Sequence, residues 1–233
     1  MTAAELRAWG ARCRAFAEAR SGDAAHDAGH LARVVAWAEA LGRAEGADLR
    51  VVLPAAWLHD CVTVPKRSPA RAQASRRAAE AAGAFLREAG FPGALVPAVE
   101  HAVEAHSWSA GVAPRTVEAA VVQDADRLDA LGAIGLARLY AVAGALGSAL
   151  VHPADPVPSE PPARPLDDRA WATDHAFAKL LNLPETMRTA AGRAEAERRA
   201  GTVRAFLAEL RRETSPAWAP PGLGDAPSGP GRA

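Results

Sequence analysis

The apolar positions of this chain recur every three to four residues, and no stretch alternates apolar with polar, so the pattern predicts helices and no strands. Leu6, Trp9, Cys13, Phe16 and Ala17 share one face of a first helix over residues 2–20, with Thr2 as its cap and Ser21-Gly22 as its stop. Val34, Trp37, Ala38 and Leu41 mark a second helix over residues 26–43, closed by Gly46. Asp48 caps a third, which runs through VVLPAAWLHDCV with Pro54 inside its first two turns, where the missing amide proton costs least. Two prolines make VTVPKRSPAR a loop, and helices follow over 73–89 and 94–106, separated by GFPG. Pro114 or Thr116 opens a long helix carrying QDADRLDALG, which should bend at Gly132 and Gly135 where another backbone comes close. Residues 152–165, HPADPVPSEPPARP, are too proline-rich for a core element and read as a long surface loop of the kind that serves as a lid. Helices over 168–182 and 186–212 complete an all-α, single-domain bundle spanning 1–213, and the Pro/Gly/Ala-rich residues 214–233 read as a disordered tail.

Composition narrows the partners. Half the 233 residues are apolar, enough for one sizeable core. The 27 Lys and Arg balance 27 Asp and Glu, so there is no basic footprint for nucleic acid and no block of like charge for a membrane surface. No apolar stretch approaches the ~18 to 20 residues of a membrane span. A small-molecule partner is expected, and nothing in the chain signals an oligomeric state. Cys13 and Cys61 are too few for a disulfide framework and read as small buried hydrophobes; with no basic-then-apolar leader at the N-terminus, a cytoplasmic, reduced protein is expected.

The chemistry is concentrated in His59-Asp60, which stands in an apolar run where a helix would normally bury only carbon. A buried carboxylate requires a partner or a metal. His26 and His30 stand upstream in HDAGHLARV, and Asp124 and Asp126 downstream in VVQDADRLDALGAIG, each set on its own helix. Together they suit one divalent ion, Mn, Fe, Ni, Co, Zn or Mg, without selecting among them.

HDAGHLARV, AAWLHDCV, VPKRSPAR, EAHSWS, VEAAVVQDADRLDALGAIGLAR, TDHAFAKLLNL and MRTAAGRAEAERR occur in that order. Over roughly residues 20–210 the series resembles the HD-domain metal-dependent phosphohydrolases, in particular their small single-domain bacterial branch. The resemblance implies a helical bundle of the HD type and a metal-binding region within 26–130. His30, His59 and Asp60 are implied as ligands, and Asp126 as the fourth through its Ala-Asp-x-Leu string. Helical periodicity instead favours Asp124, which shares a stripe with Val117, Val121 and Leu128 and lies about 200° from Asp126. We take Asp126 as the ligand and Asp124, with His26 and Asp27, as supporting acceptors or substitute ligands.

Asp60, Glu104 and His106 are the catalytic candidates, the last two, in EAHS, as groups that position water on the open side of the metal. Lys66 and Arg67, with Arg71 on the same loop, and Arg33, Arg127, His175 and Lys179 are the candidate substrate contacts. Lys66 and Lys179 are the only lysines, and an ammonium is not interchangeable with a guanidinium at a phosphate. Asp174, Arg193 and Arg198 are secondary, while Asp129 is spaced to pair with Arg33 or with an arginine of the last helix in a structural role. His101 and His152 read as structural.

The activity implied is hydrolysis of a phosphoester or phosphoanhydride in a nucleotide or related metabolite, leaning to nucleoside triphosphate pyrophosphohydrolysis. A 5'-nucleotidase-type monoesterase is the alternative on the same scaffold. Two other classes remain: a di-iron oxygenase, which would need His101 and His106 for a second metal, and a metal-bound sensor without turnover.

Overall fold

In the computed structural model, residues 1–20, 28–62, 64, 73–107 and 110–215 are described. His26, Asp27, Lys66, Arg67 and Arg71, and the tail beyond residue 215, lie outside them. Nine α-helices follow one another among the described residues: α1 (Ala3–Arg20), α2 (Ala28–Ala44), α3 (Leu49–Leu58), α4 (Ala74–Glu88), α5 (Val96–Ala105), α6 (Val117–Leu128), α7 (Gly132–Leu146), α8 (Ala172–Ala178) and α9 (Ala190–Glu213). No strand forms among these residues; Ala149 and Trp171 make one isolated bridge.

The most apolar short helix lies at the centre. In α3, Val51, Val52, Ala55, Ala56 and Leu58 are all buried, and the helix packs against α1, α2, α5 and α6 with Arg50 in its first turn exposed. Its start is fixed by Asp48, which accepts from the Arg50 amide at 2.8 Å. Small residues let α4 and α5 approach this layer: Ala78, Ala79, Ala82, Ala102 and Ala105 are buried beside Leu86, Val99 and Val103. Cys13 and Cys61 belong to the same core, where burial pushes their thiols up to about 12 and about 11.

The expected long helix is two. Thr116 caps α6 by accepting from the Ala119 amide, and α6 and α7 meet at a 62° bend through Asp129, Ala130 and Leu131. The two C-terminal helices are also shorter than the periodicity implied, because turns of 3₁₀ helix at Leu180–Asn182 and Pro184–Thr186 carry the chain from α8 into α9. Among the described residues no single helix is long and apolar enough to cross a membrane.

Residues 152–165 are anchored at their middle and near their C-terminal end. Val157 is buried, and Arg211 on α9 donates to the Pro158 carbonyl at 2.9 Å. Arg164 donates to both oxygens of the fully buried Asp174 carboxylate, at 2.7 and 2.6 Å, and to Asp155 at 3.0 Å. His152 accepts from the amides of Ala154 and Asp155, the structural role its sequence context suggested.

Burial alone would raise the Asp174 carboxyl, but Arg164 and the Asp167 amide outweigh it and hold its pKa below the ordinary value. A depressed folded pKa contributes stability above the unfolded value, about 4, and loses it as pH falls through the folded one. Asp174→Asn should therefore cost about 1.5 to 3 kcal/mol near neutrality. In urea denaturation the gap between wild type and variant should narrow steadily below pH 4; a gap independent of pH would show that the carboxylate charge contributes nothing.

Candidate metal centre

Three imidazoles converge on two carboxylates where α2, α3, α5 and α6 meet. His30 sits in the first turn of α2, His59 and His106 are the residues that end α3 and α5, and Asp60 follows His59 directly. A helix end leaves its last carbonyls without intrahelical partners. His59 Nδ1 donates to one, Ala56 O, at 2.8 Å, and His106 Nδ1 donates to another, Val103 O, at 2.6 Å. His30 Nδ1 donates instead to Asp129 Oδ2 at 2.7 Å. Carbonyl and carboxylate oxygens can only accept, so each Nδ1 carries the proton and each Nε2 is left to face the centre.

Those Nε2 atoms meet carboxylate oxygens at distances too long for hydrogen bonds. His30 and His59 stand 3.5 and 3.7 Å from Asp126 Oδ1, His59 stands 3.6 Å from Asp60 Oδ2, and His106 stands 3.6 Å from Asp60 Oδ1. His59 Nε2 is buried and has no hydrogen-bond partner among the described residues. Protonating it is opposed by complete burial, which lowers the His59 pKa against the pull of the Asp60 carboxylate. A neutral His59 then points a lone pair at two anionic oxygens, an arrangement that is repulsive unless a cation lies between them. One ligand atom each from His30, His59 and Asp60 falls within 4.8 Å of the others, the spread that a single ion spans.

The charges around the centre are mutually supporting. Burial opposes charge on His30 and His106, yet the carboxylates of Asp129 and Asp126 for the first, and of Asp60 for the second, win and raise both pKa values. Burial likewise works against Asp60, and the neighbouring imidazoles overcome it and hold the carboxyl well below the usual range. The imidazoles are nearly closed to solvent, whereas the Asp60 and Asp126 side chains are 34% and 29% exposed. The centre is therefore walled by histidine on its inner side and open at its carboxylates.

Comparison with known proteins agrees with this architecture. The HD domain family matches residues 27–131. The Bacillus subtilis protein YpgQ is 32% identical over 192 residues, covering 81% of this chain and 84% of that protein. The chain belongs to the HD-domain family. The crystal structure of YpgQ in complex with ADP matches this HD protein with a TM-score of 0.69 at 30% identity, covering 89% of this chain and 96% of that one. An HD-superfamily hydrolase from Bacillus thuringiensis matches with a TM-score of 0.67 at 29% identity over 90% of this chain and 96% of its own.

Several residues that the sequence suggested for the HD site are engaged elsewhere. Asp124 is neither beside the imidazoles nor behind them: its oxygens accept from the Arg188 amide at 3.0 Å and from the Thr189 amide and hydroxyl at 2.8 Å. It faces the start of α9, on the opposite side of α6 from Asp126. Glu104 pairs with Arg76 of α4 at 3.2 Å and not with the imidazole cluster. Arg127 is buried and donates to the Thr186 carbonyl at 2.6 Å, bracing the turn before α9. Arg33 is committed to Asp129 at 2.7 Å, one of the two pairings the spacing suggested. His175 pairs with Asp168 at 2.9 Å, and Lys179 is exposed at the end of α8. His101 accepts from the Arg115 amide, so the pair of histidines needed for a second metal is not assembled around His106.

The contribution that sequence reasoning undervalued is Asp129, together with Arg138, which donates to Asp129 Oδ2. Arg138 stands in the GLAR string and carries no local signal of its purpose.

Proposed function

We propose that this HD protein is a metal-dependent phosphohydrolase of nucleotides, with nucleoside triphosphate pyrophosphohydrolysis as the preferred reaction. The observation that carries the reading is the one-sided centre, with buried Nε2 lone pairs behind and part-exposed carboxylates in front. His30, His59, Asp60 and Asp126 would hold one divalent ion of the group Mn, Fe, Ni, Co, Zn and Mg. When bound, such an ion lowers the pKa of a water and neutralises charge on a phosphoryl group. The ADP held by the related YpgQ supports a nucleotide as the ligand class.

The chain's own residues divide the remaining work. Asp60 presents one oxygen to His59 and the other to His106, so a proton or a water on the open side meets an acceptor and an imidazole held 3.6 Å apart. Val103 O fixes the His106 ring, which keeps its Nε2 aimed at that position. Lys66 and Arg67, which follow Asp60 in sequence, are the proposed polyphosphate contacts.

Nucleoside triphosphates and monophosphates should be assayed with Mn, Co, Ni, Zn and Mg on full-length protein. Pyrophosphate released from triphosphates is the expected product, and Lys66→Ala should lower kcat/KM on them by ten- to over a hundred-fold, the value of one charge-assisted contact of about 1.5 to 3 kcal/mol. Inorganic phosphate released from monophosphates, with an equal Lys66→Ala effect on both substrate classes, would replace this reading by a monoesterase. Metal binding without turnover of any nucleotide would make the protein a sensor.

A further inference from the structure

The three imidazoles of the centre are not held alike. His59 and His106 each donate Nδ1–H to a neutral helix carbonyl three residues back, whereas His30 donates to a carboxylate contributed from 99 positions away. Asp129 is itself clamped. Arg33 of α2 donates to both its oxygens, at 2.7 and 3.2 Å, and Arg138 of α7 donates to Oδ2. Only 3% of the Asp129 side chain is exposed, so it cannot swing away from His30.

We propose that Asp129 is a positioning residue for the metal centre, acting through His30, and that Arg33 and Arg138 hold it in place. This inference rests on the metal-binding part of the proposed function. An anionic acceptor at Nδ1 locks the tautomer that leaves Nε2 as the donor and makes that nitrogen more basic than one backed by an amide carbonyl. Two guanidinium groups counterbalance the Asp129 charge and hold its carboxylate in the orientation that fixes the His30 ring. Arg138 lies outside the span matched by the HD family, residues 27–131, so this clamp ties the centre to α7.

The test is cobalt(II) titration of the chelator-treated full-length protein, read by absorbance, together with ¹⁵N NMR of the zinc-loaded protein. Wild type should bind one equivalent and show a slowly exchanging His30 Nδ1–H. Asp129→Ala should lose about 10 to 100-fold in cobalt affinity. The same variant should lose the His30 Nδ1–H signal while those of His59 and His106 persist. Asp129→Asn keeps an acceptor oxygen but not the charge, so its affinity should fall between the two. Unchanged affinity in Asp129→Ala, or an intact His30 Nδ1–H signal, overturns the proposal. If Asp129→Ala does not fold, the Asn variant and the wild-type spectrum decide: wild-type affinity in Asp129→Asn, or a His30 ring protonated on Nε2 in wild type, refutes it. Wild type that binds no metal is a separate result, refuting the metal reading before any variant is made.

Discussion

Asp126→Asn should abolish metal retention while leaving the metal-free protein as stable as wild type or slightly more so. In the metal-free chain Asp126 Oδ1 stands 3.5 Å from His30 Nε2 and 3.7 Å from His59 Nε2, so neutralising it relieves repulsion with the neutral His59 lone pair and breaks no hydrogen bond seen in the structure. With metal present, the loss of a direct bond should exceed the roughly 10 to 100-fold that supporting residues are worth. Asp124→Ala should do the reverse. It removes the acceptor for two backbone amides and a hydroxyl at the start of α9, and two of those donors are then left in a buried setting. At about 1 to 3 kcal/mol for each stranded group, a loss of about 3 kcal/mol is expected. That corresponds to about 6 to 12 °C in Tm for a domain of this size. Melting after chelation, with metal content measured separately, distinguishes the two. Metal lost from Asp124→Ala at unchanged Tm, together with metal kept by Asp126→Asn, would reverse the assignment.

That pair also shows what the sequence carried and what it withheld. Helical periodicity assigned Asp124 to a stripe of α6 with Val117, Val121 and Leu128; Asp124, Val121 and Leu128 are fully inside, while Val117 at the start of the helix is exposed. Burial does not decide ligation: the buried side of α6 is where α9 begins, and the imidazoles of His30 and His59 stand beside the part-exposed Asp126. His59 stood out by breaking the apolar run VVLPAAWLHDCV and His106 by its EAHS string, and each ring is fixed locally, by a carbonyl one turn back on its own helix. Asp48 and Thr116 were legible as caps, whose contacts are local. Arg33, Arg127 and Glu104, suggested for the site, each have a partner well separated in sequence, and such a partner decides where an arginine or glutamate lies. Thr186 lies 59 positions from Arg127, and Asp129 lies 96 from Arg33. The bend after Leu128 was foreseen from Gly132 and Gly135, but its purpose was not: it turns Asp129 inward to His30 and brings Arg138 up behind it.

Gly135→Ala should be among the most damaging single-methyl changes in the chain. The bend between α6 and α7 brings the Ala130 carbonyl across the Gly135 Cα, and a Cβ built there would meet Ala130 O at 2.1 Å and Ala130 C at 2.4 Å. Both are backbone atoms with no rotamer to yield, so the corner itself must open. Forced overpacking typically costs 1 to 3 kcal/mol, and a rigid backbone clash belongs at or above the top of that range, so a loss of about 3 kcal/mol and roughly 6 to 12 °C in Tm is expected. Gly144, on the same helix with nothing within 4 Å of its Cβ position, is the internal control. Gly144→Ala should be neutral or stabilising by up to about 1 kcal/mol, since alanine is the better helix former. The corner also links Asp129 to Arg138, so the fraction of Gly135→Ala that folds should bind cobalt more weakly than wild type. Thermal melts of the two variants and a cobalt titration of each provide the check. Equal stability of Gly135→Ala and wild type would mean that the corner has slack, and the clamp behind His30 would then not be set by the α6–α7 bend.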